Sequence, residues 1–143
     1  RRVIEGHLIR RAADMRDDAM HSALNDHLHT EDAARAAGDA ARVIRRCGRY
    51  HQVLADQADS PIMARFVREL IARSSLIIAI YETGHHGDCE MDEHRQLSEL
   101  VLQGKGEAAA DLLDRHLTGI EDRLDLKPQG DPASDLRASL GFG

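Results

Sequence analysis

Apolar residues recur along this chain at intervals of three and four, the spacing of an amphipathic helix, and alternating β-branched runs are absent. Ile4, Leu8, Ala12 and Met15 predict a first helix from Arg1 to about Asp17, with Glu5 and Arg11 among its polar positions. Asp17 or Asp18 can cap a second, which carries Met20, Leu24, His27 and Leu28 toward Gly38. A third, from about Asp39 to Asp56, places Val43, Ile44, Cys47, Tyr50, His51, Leu54 and Ala55 on one side. Ser60-Pro61 then forms a start signal, since proline at the first helical position loses no hydrogen bond. The helix it opens, reaching about Tyr81, is the longest and most apolar and is expected at the centre of the fold. A glycine-rich loop, GHHGDCE, precedes two shorter helices separated by QGKGE. Met91, His94, Leu97 and Val101 mark the first of these. Ala109, Leu112, Leu113, His116, Leu117, Ile120 and Leu124 mark the second. From Lys127 a tail with two Pro and three Gly follows, with one helical turn expected near 135–140.

This predicts an all-α fold, a bundle of about six antiparallel helices, in a single domain of residues 1–126 with a C-terminal tail of 127–143. The 143 residues suffice for a core of Leu, Ile, Val, Ala and Met, aromatics being only 3% with no Trp. A net charge of −6 argues against a nucleic-acid surface on this domain. Two cysteines, Cys47 and Cys89, make neither a disulfide framework nor a CxxC pair. With no membrane-length apolar run and no signal peptide, a reduced, cytoplasmic setting is expected. The abrupt start within a helix at Arg1 is expected of a domain cut from a longer protein.

Three histidines occupy positions where core residues belong. His51, His94 and His116 lie in apolar stripes on three different helices. An imidazole there must find a hydrogen-bond partner or a metal, because an unpaired buried polar group costs about 1–3 kcal/mol. Three neutral imidazoles converging in a bundle would suit Zn²⁺ or another transition ion such as Ni²⁺. The structural alternative for each is a hydrogen-bonded core histidine, and His27 is expected to be one. His85 and His86, in the loop, are expected to be solvated. Arg73, in register with Phe66, Leu70 and Ile77, is expected to direct its guanidinium inward, where an anion or acceptors must meet it.

Several stretches resemble one known family. They are RRVIE followed by RAA, YHQVLADQADSPIMARFVREL, IARSSLIIAIYE, and CEMDEHRQLSELVLQGKGEAAADLLDRHL, in order and spanning Arg1 to about Leu126. In these the chain is similar to the FCD domain, the C-terminal effector-binding domain of the FadR branch of GntR-type bacterial transcription regulators. The resemblance implies a helical bundle with a central metal and ligand cavity, a small carboxylate effector, a homodimer, and operator DNA bound through a preceding winged helix-turn-helix that this chain does not contain. It also implies a divalent ion held by an Asp and a His one turn apart on one helix and by two later histidines. Residue by residue, those histidines fall on His51, His94 and His116. The Asp position is held here by Cys47.

That departure leaves three outcomes open: Cys47 ligates as a thiolate, three histidines hold the metal while Cys47 stands aside, or the site has no metal. Arg73 matches an arginine that commonly precedes the family's Ser/Thr-rich apolar run, which implies effector binding; its plainer reading is a salt bridge to Glu69 or another acid. Tyr50 and Tyr81 are candidate pocket residues, and Arg1 resembles an early family arginine. The alternative from another class is a helical-bundle metalloenzyme using a histidine-bound metal and water. Against it, the chain has no HExxH and no Glu-x-x-His pair of the kind di-iron bundles use, and Glu93, adjacent to His94, diverges from it by about 100° around the helix.

Overall fold

The structure, a computed structural model, describes residues 1–82 and 90–126. The loop holding His85, His86 and Cys89, the side chain of Met91 and the tail from Lys127 lie outside the described residues. Among the described residues the fold has six helices: α1 (Arg2–Asp14), α2 (Asp18–Ala36), α3 (Ala40–Asp56), α4 (Pro61–Tyr81), α5 (Glu90–Leu102) and α6 (Gly106–Asp122). The punctuation works as its chemistry requires. The Asp17 carboxylate accepts the Met20 amide at 2.7 Å and opens α2, and Asp39 accepts the Arg42 amide at 2.9 Å and opens α3. Pro61 begins α4. Gly104, at φ +73°, closes α5: its amide donates to the Val101 carbonyl and the Lys105 amide to that of Leu100, the paired bonds of a left-handed glycine cap.

Neighbouring helices run antiparallel. Arg2 reaches Thr118 and Arg10 reaches Glu107 along the α1/α6 pair. His27 meets Arg46 between α2 and α3, and Arg68 meets Asp56 between α3 and α4. The main core holds Leu8 and Ile9 of α1, Leu24 of α2, Tyr50 of α3, Leu97 of α5 and Leu113 of α6, all fully buried, and Ala34, Val43 and Cys47 form a second, smaller cluster. Small residues line the α1/α6 contact, Ala12, Ala13, Ala109 and Ala110 all belonging to the same buried cluster. At Gly106 a Cβ would come within 3.1 Å of the Arg10 Cα and 3.3 Å of its carbonyl oxygen.

One expectation is overturned. The long apolar helix α4 is not central; only Ala64, Val67 and Ile71 are buried, and it packs mainly on α3 while leaving Ile62, Phe66, Leu76 and Ile80 more than half exposed. The helix is apolar on two faces, and the bundle covers one of them. The centre belongs to α1, which touches α3, α4, α5 and α6. None of the helices is long and apolar enough to cross a membrane, among the described residues.

Because the atoms opposite Gly106 belong to the backbone of α1, Gly106→Val must push the two helices apart. It should lower the free energy of urea unfolding by about 1–3 kcal/mol, whereas an unchanged midpoint would show that the α1/α6 contact is not tight.

Candidate metal centre

The three histidines singled out above meet at one layer of the bundle. His51 comes from α3, His94 from α5 and His116 from α6, and all are buried, His94 completely. Ring centroids stand 5.3 Å apart for His51 and His94, 5.2 Å for His51 and His116, and 5.0 Å for His94 and His116. One ring nitrogen from each lies within 4.8 Å of the other two, a spacing that could hold a metal ion.

Each imidazole is backed by a different glutamate. His51 Nδ1 lies 2.8 Å from Glu5 of α1, His94 Nδ1 lies 2.9 Å from Glu31 of α2, and His116 Nδ1 lies 2.7 Å from Glu93 of α5. A carboxylate at Nδ1 keeps the proton on that nitrogen and leaves Nε2 with its lone pair. The three glutamates therefore set tautomer and ring direction together, the arrangement common behind metal-bound histidines. The Nε2 of His116 is buried with no hydrogen-bond partner among the described residues.

The charges of the layer follow from burial and neighbours. Burial alone would raise the Glu5 carboxyl, but His51 and Arg1 beside it hold it well below the usual carboxylate range. Burial likewise opposes ionisation of Glu31, yet its hydrogen bonds with His27 and His94 lower it to about 2. The His51 imidazole is pushed down to about 3, first by burial and further by Arg1, while Glu5 opposes the change. His51 is thus neutral near pH 7, the form in which imidazole donates a lone pair.

Supporting groups fix the rings from behind. Tyr50 stacks on His94, with centroids 4.0 Å apart and planes inclined by 15°. Its hydroxyl donates to the His94 carbonyl and pairs with Ser98 Oγ, both at 2.9 Å. His27 is the structural histidine expected of it: its Nε2 donates to the Arg46 carbonyl at 2.9 Å and stands 3.2 Å from Glu31.

Other expected site residues are placed differently. Cys47 is buried one turn before His51, but its sulfur lies within 4.8 Å of ligand atoms of Glu31 and His94 rather than completing a set with all three histidines. Arg73 does not point inward; it lies on the exposed face of α4, because its register with Phe66 and Ile77 belongs to the outer stripe. Tyr81 is 38% exposed at the end of α4, and Tyr50 is held behind His94; neither lines the cavity beside the histidines.

That cavity is small, about 20 Å³, with walls from His51, His116, Cys47, Ser75, Ile78 and Arg1. Arg1 bonds Glu5 at 2.6 Å and Ser74 at 3.1 Å, and its Nη2 is buried with no hydrogen-bond partner among the described residues. The inward guanidinium expected of Arg73 is therefore supplied by Arg1. A wider groove of about 310 Å³ adjoins, sharing Arg1, Ile78 and Ile120 with the cavity.

Glu5 and Glu31 were not among the residues expected in an interior site, although a signal was present. Glu5 stands in register with Leu8, Ile9 and Ala12, and Glu31 with Leu24, His27 and Leu28, so both acids fall on the buried stripes of their helices. Glu93 does not serve its neighbour His94; it reaches across to α6.

No curated protein and no solved structure matches the chain. The FCD domain matches over residues 1–119, which includes all three histidines, all three glutamates and Arg1. By that match and by its all-helical bundle, the chain belongs to the FCD domain family, the C-terminal effector-binding domains of GntR-family regulators.

Proposed function

We propose that this chain is the metal-dependent sensing domain of a FadR-type transcription regulator, holding a divalent ion, Zn²⁺ foremost, on His51, His94 and His116, and responding to a small carboxylate. The observation that carries this reading is the convergence of three buried imidazoles, each with its Nδ1 against a glutamate. A purely structural histidine needs partners for its own nitrogens; it does not need two others aimed at the same point. The donor set fits a borderline cation with nitrogen ligands, and the buried carboxylates of Glu5 and Glu31 favour positive charge in the layer. Bound there, such an ion would supply a Lewis-acidic position open to an anion. Cys47 stands aside in this reading as a small buried thiol.

Arg1 supports the carboxylate part. Arg1 lines the cavity together with His51 and His116, its Nη2 is buried with no hydrogen-bond partner among the described residues, and guanidinium is the group best shaped to meet a carboxylate in a fork. The 20 Å³ beside the rings admits about a water molecule, so the body of an effector would occupy the adjoining groove and pass only its acid group inward. In the full regulator the domain acts as one half of a cytoplasmic homodimer, and DNA is contacted through a separate winged helix-turn-helix. Sensing then means that the effector favours one arrangement of the dimer over another by its differential affinity.

Elemental analysis of protein purified without a nickel column should find about one divalent ion per chain, and His116→Ala should lose it. Absence of metal at any occupancy, before or after dialysis against Zn²⁺, would sink the metal reading. Glu31→Gln, which keeps the shape but removes the charge behind His94, should weaken metal binding by roughly 10- to 100-fold in a chelator competition; equal affinity would make Glu31 merely structural. In a thermal-shift screen of small mono- and dicarboxylates, stabilisation should require both metal and Arg1. A carboxylate that stabilises Arg1→Ala as much as the parent would remove Arg1 from the effector site.

A further inference from the structure

The outward face of α4 carries a two-fold symmetric pattern. Ile62, Phe66, Glu69, Arg73, Leu76 and Ile80 follow one another at alternating steps of four and three, the seam spacing of paired helices. All six are exposed, Ile62 by 73%, Phe66 by 53%, Leu76 by 63% and Ile80 by 61%. They are also arranged symmetrically about the level of Ile71: Ile62 and Ile80 lie nine residues to either side, Phe66 and Leu76 five, Glu69 and Arg73 two. Turned end for end, the stripe reads apolar against apolar at its outer positions and acid against base at its centre.

We infer that α4 is a self-association surface, pairing antiparallel with α4 of a second copy about a dyad at the level of Ile71, so that Ile62 meets Ile80, Phe66 meets Leu76, and Glu69 meets Arg73 across the interface. A two-fold contact places residue i against j and j against i, and this sequence supplies a compatible partner at each such pair. Parallel pairing would set Glu69 against Glu69 and Arg73 against Arg73, which is repulsive at both central positions. Arg73 makes no hydrogen bond or ion pair among the described residues, and Glu69 has only an exposed contact with Arg65 at 3.3 Å. Both centre charges are thus available to a partner.

The area is adequate. With about 100 Å² exposed on each of Ile62, Phe66, Leu76, Ile77 and Ile80, the apolar strip approaches 500 Å², large for a patch left to solvent. The stems of Glu69, Arg73 and Arg65 extend it toward the roughly 800 Å² per partner of a standard interface.

This surface names the contact of the homodimer proposed above and rests on that reading for its role, while its chemistry does not involve the histidines. The test is sedimentation equilibrium of the chain, with metal content and far-UV circular dichroism measured on every variant. The parent should sediment at twice its 15.9 kDa. Glu69→Arg and Arg73→Glu should each weaken the dimer by at least about 100-fold, since each brings like charges together twice, and the double exchange Glu69→Arg with Arg73→Glu should restore it. Metal content should stay at the parent level throughout. A parent that is monomeric at high micromolar concentration, including one that pairs only with a different protein, overturns the inference. So does a dimer indifferent to both single reversals, or one that the double exchange fails to rescue. Loss of metal in the parent with the dimer intact would instead count against the sensing site alone.

Discussion

Three imidazoles in a core of leucine and alanine impose a demand that much of the fold is arranged to meet. Each ring has two polar nitrogens, and burial deprives both of water. Five of the six helices contribute to the answer: α3, α5 and α6 bring the rings, and α1, α2 and α5 bring the glutamates that stand against their Nδ1 atoms. A buried carboxylate is itself costly unless charge and hydrogen bonds compensate it, and Arg1 serves Glu5 in that way while His27 serves Glu31. The polar layer is therefore a chain of dependencies running from the start of α1 to the middle of α6. Removing Glu5 or Glu31 both releases a ring and leaves the carboxylate's other partner, Arg1 or His27, without its acceptor, so such changes are not expected to add independently.

Much of the helical framework was legible because its signals are local. The aspartates at 17 and 39, Pro61 and the glycine after α5 act within four or five residues of themselves, and the structure follows them closely at each of those ends. The three histidines were legible because their type conflicts with the stripes they occupy. The same reasoning would have found Glu5 and Glu31, which break their stripes just as plainly. An acid near a helix start is easily assigned to the surface, and that assumption hid Glu5. Arg73 misled for the converse reason: α4 is apolar on two faces, and a wheel cannot tell which of the two the bundle buries. Which glutamate reaches which ring was not legible at all, since Glu93 serves His116 on another helix and skips its own neighbour.

The two faces of α4 give the helix a double position that neither its length nor its hydrophobicity announces. Inward, Ser75 and Ile78 form part of the cavity wall beside His51 and His116, and Ile78 also borders the wider groove. Outward, Leu76, Ile77 and Ile80 are open. These sets alternate within two turns of one rigid element. At Gly48 of α3 the spacing between the helices is already tight, for a Cβ there would lie 3.0 Å from Ile71 and 3.1 Å from Ser75. A carboxylate of the kind proposed above would have little room in the 20 Å³ space beside Ile78 with α4 fixed against α3.

Any displacement of α4 that widens the inner wall carries the outer stripe with it, because a helix moves as a body. If two copies meet through that stripe, their mutual orientation and the occupancy of the cavity are tied by geometry alone, with no chain of intermediate side chains required. The linkage would then work in both directions: a dimer that held α4 close to α3 would disfavour the effector, and an effector that shifted α4 would disfavour that dimer arrangement to the same degree. The size of the effect is bounded by how differently the ligand binds the two placements of the helix. A carboxylate reaching only the outer groove, without passing Ile78, would bind and yet transmit nothing.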